Sequence, residues 1–351
     1  MQLPVKFGSK EAIWCDFKAS AMAVEVSVVM PVRNGEAFVE LAVRSILSQT
    51  FQALELIIID DGSFDSTPSI LSSLAATDSR IRLLSSGGRG IVDALNLGIV
   101  QSGSDLIARM DADDMALPER LERQIQFMRS NPDVVASGSS VLLIDGTGIE
   151  TGTRDVAVDR AAIADELQRT NAFIHPTMII QKQALLDAGL YRHACTYAED
   201  YDLWLRLEEI GELANLAEPT LKYRMHAGQI SNIKRVQQRA AAALARQVAW
   251  RRRSGKGEGV DMKQPVHVAC GELLRLRADE VPQLTALEGP DLSIMLRLAK
   301  PLMTRKAVSS YVHRLGTEAN FGKMWSLRIN LALSGFRDRF TGPFYGQFGS
   351  R

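Results

Sequence analysis

Cysteine is scarce in this chain: of 351 residues, only Cys15, Cys195 and Cys270 carry a thiol. Three distant thiols exclude a disulfide framework and suit a reducing compartment. Long hydrophobic runs are missing too. No stretch reaches the roughly 20 apolar residues of a membrane-spanning helix, and Lys10, Glu11, Asp16 and Lys18 break up the region where a secretory signal would need an apolar heart. A cytoplasmic protein is expected. Aromatic residues make up 6% of the chain and are not interleaved with its charges, which speaks against a stacking surface for nucleic acid. No Gly-x-Gly-x-x-Gly follows the first apolar run, and Gly88-Arg89-Gly90 follows the wrong one and lacks the last glycine. A dinucleotide cofactor is therefore excluded.

The formal net charge is zero, yet the charges are unevenly placed. Residues 234–351 hold 21 of the 41 Lys and Arg but 9 of the 41 Asp and Glu, a balance of +12 offset by −12 in the rest of the chain. Three regions follow: an N-terminal extension over 1–24, a domain over 25–230 whose halves are 25–130 and 131–230, and a basic helical region over 231–351.

What is present is an alternation of strand and helix. Val26–Pro31 is a short β-branched run, followed by an amphipathic segment to Gln49 with Phe38, Leu41, Ala42, Ser45 and Ile46 at helical spacing. Leu54–Ile59 is near-continuously apolar, as a strand covered on both faces must be. Ser66-Thr67-Pro68 caps the next helix, and Ile81–Leu84, a helix over 90–100 and a strand over 106–110 complete the series. The pattern predicts a doubly wound, mostly parallel, Rossmann-like α/β sheet with a C-terminal helical extension. In such sheets ligands sit beyond the carboxyl ends of strands, where Pro31–Asn34, Asp60–Ser63, Ser85–Gly90 and Asp111–Asp114 all fall. Further on, Val134–Ile144 reads as one long strand or a pair, and a short helix over 182–188 is stopped by Gly189. Leu203–Ile210 reads as a well-buried helix, and Leu213–Ala217 and Leu221–Met225 as edge strands.

The most informative stretch is Ile107-Ala108-Arg109-Met110-Asp111-Ala112-Asp113-Asp114-Met115. Three carboxylates within four residues repel unless a cation sits among them, and a hard divalent ion, Mg²⁺ or Mn²⁺, suits carboxylates and phosphate oxygens. An EF-hand fails here, because Met115 takes a ligand position and Ala116 replaces the glycine.

Val26-Ser27-Val28-Val29-Met30-Pro31-Val32-Arg33-Asn34, Ile59-Asp60-Asp61-Gly62-Ser63, the acidic stretch, and Ala198-Glu199-Asp200-Tyr201-Asp202-Leu203-Trp204 occur in that order. Together they resemble the family 2 glycosyltransferases of the GT-A fold, over about Val24 to Ser231. The resemblance implies that Pro31, Val32, Asn34, Glu36 and the pair Asp60 and Asp61 hold nucleobase and ribose, with either aspartate free to accept a uracil N–H. Asp60 as the cap of its own turn with Ser63 is the alternative. It further implies Asp111 beside the ribose, Asp113 and His226 as ligands of a divalent cation, and Asp114 as their supporting neighbour or an N-cap. Asp200 is matched to the general base, with capping of the following helix as its alternative. Glu199 would orient it, and His175 lies near the acceptor or is structural. Where the family often carries an Arg beside the Asn after the third strand, this chain has Ala94-Leu95-Asn96, and Arg89 is the nearest substitute.

The implied activity is an inverting transfer of a sugar from a nucleotide-sugar, a UDP-sugar in the first instance, to a glycan or lipid-linked acceptor in cell-surface polysaccharide synthesis. Two rivals stand beside it: a membrane-surface scaffold that has lost turnover, and a sugar-phosphate nucleotidyltransferase, for which Val32-Arg33-Asn34-Gly35 is a poor phosphate loop. Arg251–Arg253, Arg275, Arg277, Arg297, Lys300, Arg305, Lys306 and Arg314, with an apolar stripe at Ile294, Leu298 and Leu302, suit peripheral docking on the anionic cytoplasmic face of the inner membrane. An ordinary helical appendage or a homo-oligomer contact reads the same charges equally well.

Overall fold

Seven consecutive buried residues, Val26–Val32, form β1. Alternation sends Val26, Val28, Met30 and Val32 into one apolar cluster and Val29 into another, so the strand lies between two cores. The computed structural model of the chain describes residues 24–226, 228, 229 and 234–273. Around β1 the strands β2 (Leu54–Asp60), β3 (Ile81–Ser85) and β4 (Leu106–Arg109) pair in parallel in the order β3-β2-β1-β4. Helices α1 (Val39–Leu47) and α2 (Thr67–Ala75) cover one face, and α3 (Ile91–Gln101) the other. α3 lies so close that a Cβ on Gly98 would come within 2.6 Å of the Val29 side chain and 2.7 Å of Ile59. Chain order reverses between β1 and β4, which is where an open sheet leaves a crevice.

Two details differ from expectation. Ala42, Ser45 and Ile46 of α1 face inward as expected, but Leu41 is half exposed and Val39 and Val43 are buried in its stead. Ser66 makes no cap with its side chain; the Asp65 carboxylate accepts the Thr67 N–H instead, at 3.0 Å, and Pro68 opens α2.

Beyond β4 the sheet becomes mixed. The chain runs through β5 (Met115–Ala116), α4 (Arg120–Ser130), β6 (Val134–Ile144), β7 (Glu150–Arg154), α5 (Arg160–Leu167), β8 (Ile179–Gln181), α6 (Lys182–Asp187), α7 (Glu199–Leu207) and β9 (Glu212–Arg224). β8 is antiparallel to both β4 and β6, and β9 is parallel to β6. Val134–Ile144 is thus one strand. The two segments expected at an edge are one strand too, and an interior one, flanked by β6 and β5. Glu218-Pro219 reads as a break because proline cannot donate to a ladder. A register shift absorbs it: Ser139 pairs with Leu216 and Val141 with Leu221, so residues 217–220 stand opposite Ser140 as a bulge in a strand that continues.

α8 (Arg235–Arg253) and α9 (Val266–Leu273) close the described chain. The change of composition near residue 231 is not a break in packing, since Ala241, Leu244, Ala245 and Val248 share the core of Trp204 and Leu207. Arg251–Arg253, offered above for a membrane surface, are engaged by the protein. Arg252 pairs with Glu209 and Glu258, Arg253 with Glu208 and Glu209, and buried Arg251 donates to the carbonyls of Lys256 and Gly257. The other basic residues named there, and the Ile294, Leu298 and Leu302 stripe, lie outside the described residues, as does Cys15. Cys195 and Cys270 are buried free thiols. Among the described residues no helix is long and apolar enough to cross a membrane.

Every residue of α7 except half-buried Asp200 is buried. Asp202 in its first turn receives two N–H bonds from Arg192 and two from Arg206, and Arg192 also reaches Glu258. Burial works against the Asp202 charge, but Arg206 and Arg192 outweigh it and hold the carboxyl below its ordinary value. Asp202→Ala leaves buried guanidinium groups without their carboxylate and should cost about 3–5 kcal/mol in chemical denaturation.

Candidate active site

Three loops at the carboxyl ends of β1, β2 and β3 are laced together. The Asn34 N–H donates to Ser63 Oγ (2.9 Å) and its Oδ1 accepts the Phe64 N–H (3.0 Å). Gly35 N–H donates to Thr67 (2.8 Å), Glu36 N–H to Asp65 (3.1 Å), and the Glu36 carboxylate accepts from Ser66 N–H (2.9 Å). Asn34 and Glu36 are therefore committed to joining the first two loops. Asp60 caps its own turn by accepting the Ser63 N–H at 3.0 Å, the alternative noted for it. Buried Asp61 accepts from Ser86 Oγ (2.5 Å) and Gly90 N–H (3.0 Å), with Arg33 3.9 Å from its second oxygen. Gly62 is left-handed, and a Cβ there would meet the Gly88 backbone at 3.1 Å, so these loops touch only because the residue is glycine.

Pro31 and Val32 finish β1. The Val32 side chain belongs to the core, leaving its backbone for the crevice, and its carbonyl accepts the Asp61 N–H. Arg89 donates to the Ser86 carbonyl (3.0 Å), lies 3.9 Å from Asp93 and is otherwise largely exposed. Phe64 stands 83% exposed beside these loops, a position no residue pattern singled out.

The acidic cluster leaves the end of β4. One oxygen from each of Asp111, Asp113 and Asp114 lies within 4.8 Å of the others. His226, just past β9, places Nε2 2.9 Å from Asp113 Oδ2, with its ring against Phe38 and the Arg224 guanidinium over that same phenyl. Asp111 pairs with Arg109. Burial raises the Asp111 carboxyl, Arg109 opposes the rise, and the charges of Asp113 and Asp200 add to it. Asp114 is buried and turned inward: its Oδ1 accepts the Arg224 N–H at 2.8 Å, its Oδ2 has no partner, and burial with Asp111 and Asp113 sets its carboxyl well above the usual range. It clamps β4 to β9 rather than capping a helix.

Such a donor set suits a hard divalent cation. Asp111, Asp113 and Asp114 bring three carboxylates together with the His226 imidazole on Asp113, while the orphaned oxygen of Asp114 and the raised carboxyls mark a site short of positive charge.

Asp200, second residue of α7, lies within electrostatic reach of Asp111. It does not cap the helix, whose N-cap is Ala198. Its Oδ1 accepts the Tyr201 N–H (2.7 Å) and its Oδ2 an N–H of Asn171 (2.6 Å). Burial raises its carboxyl against both donors and against Arg109. Glu199, also buried, has an unpartnered Oε2 and is pushed up to about 7 by burial and by Asp200. His175 donates to or accepts from the Tyr191 hydroxyl (2.7 Å) and meets Trp204 edge-on at 5.7 Å. Burial, with Arg109, lowers its imidazole well below the ordinary range, so it is neutral and packs as part of the wall.

The residue that joins the two sides is Arg109, buried at the last position of β4, with burial opposed by Asp111, Tyr191 and Asp114. Its charge acts on Asp111, Asp114, His175, Glu199 and Asp200 alike. Behind it, buried Arg120 donates to the Arg109 carbonyl at 2.6 Å, its own pKa lowered to about 9 by burial, with Arg109 adding to the effect. Arg109 had a visible signal, a charge closing an apolar strand before three aspartates; Asn171 had none, because its role depends on a partner 29 residues away.

A switch point of an α/β sheet, with laced loops at the strand ends and an acidic cluster within electrostatic reach of a half-buried carboxylate, suits a group-transfer enzyme. Residues 27–190 match the model of glycosyl transferase family 2. The O-antigen biosynthesis glycosyltransferase WbnJ of Escherichia coli is 34% identical over 57% of this chain and 80% of its own length. The amylovoran biosynthesis glycosyltransferase AmsE of Erwinia amylovora is 32% identical over 55% of this chain and 72% of its own. The chain belongs to glycosyl transferase family 2. Among solved structures, Staphylococcus aureus TarS 1-349 in complex with UDP-GlcNAc superposes with a TM-score of 0.55 at 14% identity, covering 87% of this chain and 90% of that one, a likeness of fold.

Proposed function

We propose that this glycosyltransferase moves a sugar from a UDP-sugar to a hydroxyl of a glycan or lipid-linked acceptor in cell-surface polysaccharide synthesis, by a single displacement that inverts the anomeric carbon. The observation that carries the reading is a pair of unlike acidic sites: the cluster of Asp111, Asp113 and Asp114, with His226 on Asp113, and the hydrogen-bonded Asp200, whose charge adds to the rise of the Asp111 carboxyl. The names of WbnJ and AmsE support a polysaccharide product.

Asp200 takes the proton of the acceptor hydroxyl as its oxygen bonds to the anomeric carbon, and the bond to the diphosphate breaks on the opposite face. Asp113, His226 and Asp111 would hold a divalent cation, Mn²⁺ or Mg²⁺, whose chemistry is to neutralise the departing diphosphate. The loops of Asp60, Asp61 and Arg89 form the nucleoside end, with Pro31, Asn34 and Glu36 fixing their shape. Glu199 and His175 line the acceptor side.

A thermal-shift screen of nucleotide sugars with and without Mn²⁺ tests this reading, since ligands that bind only the folded state raise its melting temperature. The largest shift is expected from a UDP-sugar with Mn²⁺ present. Equal shifts from GDP- and UDP-sugars, or none that depends on Mn²⁺, would refute the donor and cation assignments.

A further inference from the structure

We infer that Asn171 is the positioning residue of the transfer reaction: its amide fixes the orientation of the Asp200 carboxylate and holds it ionised. This rests on the reading of Asp200 as general base, but the contact stands independently of it. Asn171 lies in the coil between α5 and β8, and that coil is packed tightly against α7. Ala172, Phe173 and Ile174 are buried, the Phe173 ring meets Trp204 edge-on at 5.8 Å, and Tyr201 Oη–H donates to the Leu167 carbonyl at 2.7 Å. The side chain of Asn171 is therefore presented to Asp200 from a fixed backbone.

The direction of the amide follows from its neighbours. Asn171 Oδ1 accepts the Phe173 N–H at 3.1 Å, so the opposite, NH₂ end must face Asp200 Oδ2, 2.6 Å away. A flipped amide would set oxygen against carboxylate and N–H against N–H. With the Tyr201 N–H on Oδ1, each oxygen of Asp200 has one fixed donor. Two donors to the charged form favour ionisation in a place where burial opposes it.

The charged and titratable groups that act on Asp200 are Arg109 and Asp111 from β4 and the loop after it, Glu199 beside it on α7, and Tyr191 from the preceding loop. Arg109 favours the carboxylate, but it is shared with Asp111, Glu199 and Asp114. Asn171 alone among the described side chains is hydrogen-bonded to Asp200.

The test reads the proton directly and needs no substrate. In protein labelled with ¹³C at aspartate carboxyls, the Asp200 resonance is assigned by its loss in Asp200→Asn and titrated in wild type, Asn171→Ala and Asn171→Asp. Asn171→Ala should raise the Asp200 pKa by about one pH unit, and Asn171→Asp, nearly isosteric but negatively charged, by more. The acid limb of the rate profile should move up by the same interval, with KM for the donor unchanged. If Asn171→Ala does not fold, Asn171→Asp carries the test alone. An Asp200 pKa that stays in place in the folded variants overturns the assignment. An active Asp200→Asn enzyme would instead overturn the general-base reading and leave the titration result standing.

Discussion

Asp200→Asn should lower the transfer rate by roughly 10²- to 10⁴-fold, the usual contribution of a positioned general base, while nucleotide-sugar binding stays within a factor of a few. The separation is expected because the donor loops are built on β1, β2 and β3, whereas Asp200 is held by α7 and the Asn171 coil. The asparagine also brings a specific penalty: one end of its amide must place N–H against a donor already fixed, Tyr201 or Asn171. Asp200→Ala removes that clash and should be equally inactive. Measurement of kcat and of donor affinity on both variants decides the matter, and a variant that loses affinity and rate together would move Asp200 to the donor side.

Asp113→Ala should abolish both turnover and the effect of the cation on stability. For wild type, a cation at a hundredfold excess over its Kd adds about 2.7 kcal/mol to the folded state, visible as a rise in melting temperature. In Asp113→Ala that rise should vanish, because the variant loses the carboxylate that lies in the acidic cluster and also contacts His226. Asp114→Asn offers the contrast. One oxygen of Asp114 is held by the Arg224 N–H and the other is unpartnered in the cluster, so its neutral analogue should weaken the cation response less than Asp113→Ala does. Calorimetric titration with Mn²⁺ checks both, and an undiminished response in Asp113→Ala would place the cation elsewhere.

The parallel half of the sheet was legible in the sequence because a strand buried on both faces needs a continuous apolar run, and β1 and β2 have one. The mixed half was less so. Pro219 hid the continuity of β9, since a bulge that sets residues 217–220 opposite Ser140 leaves no trace in hydrophobic pattern. The exposure of Leu41 has a similar origin: α1 has apolar residues around more than one side, and only packing in the core selects Val39 and Val43 over Leu41 beside the expected Ala42 and Ile46.

Of the site, the carboxylates were visible because their spacing is local. Asp60, Asn34 and Glu36 show the limit of that visibility: their place just beyond the strand ends is legible, but their engagement in turn and loop hydrogen bonds is not. Asn171 and the unifying place of Arg109 arise only when β4, α7 and the coil before β8 meet, so no window of sequence contains them.

Everything proposed depends on the cation and the base sharing one crevice. Paramagnetic broadening measures that relation: Mn²⁺ is added to protein with ¹³C-labelled aspartate carboxyls, and the Asp200 signal is followed together with those of Asp111 and Asp202. Stoichiometric Mn²⁺ should broaden Asp111 and Asp200 strongly, leave Asp202 on the inner side of α7 less affected, and do neither in Asp113→Ala. An Asp200 signal that stays sharp while Asp111 disappears would contradict the account.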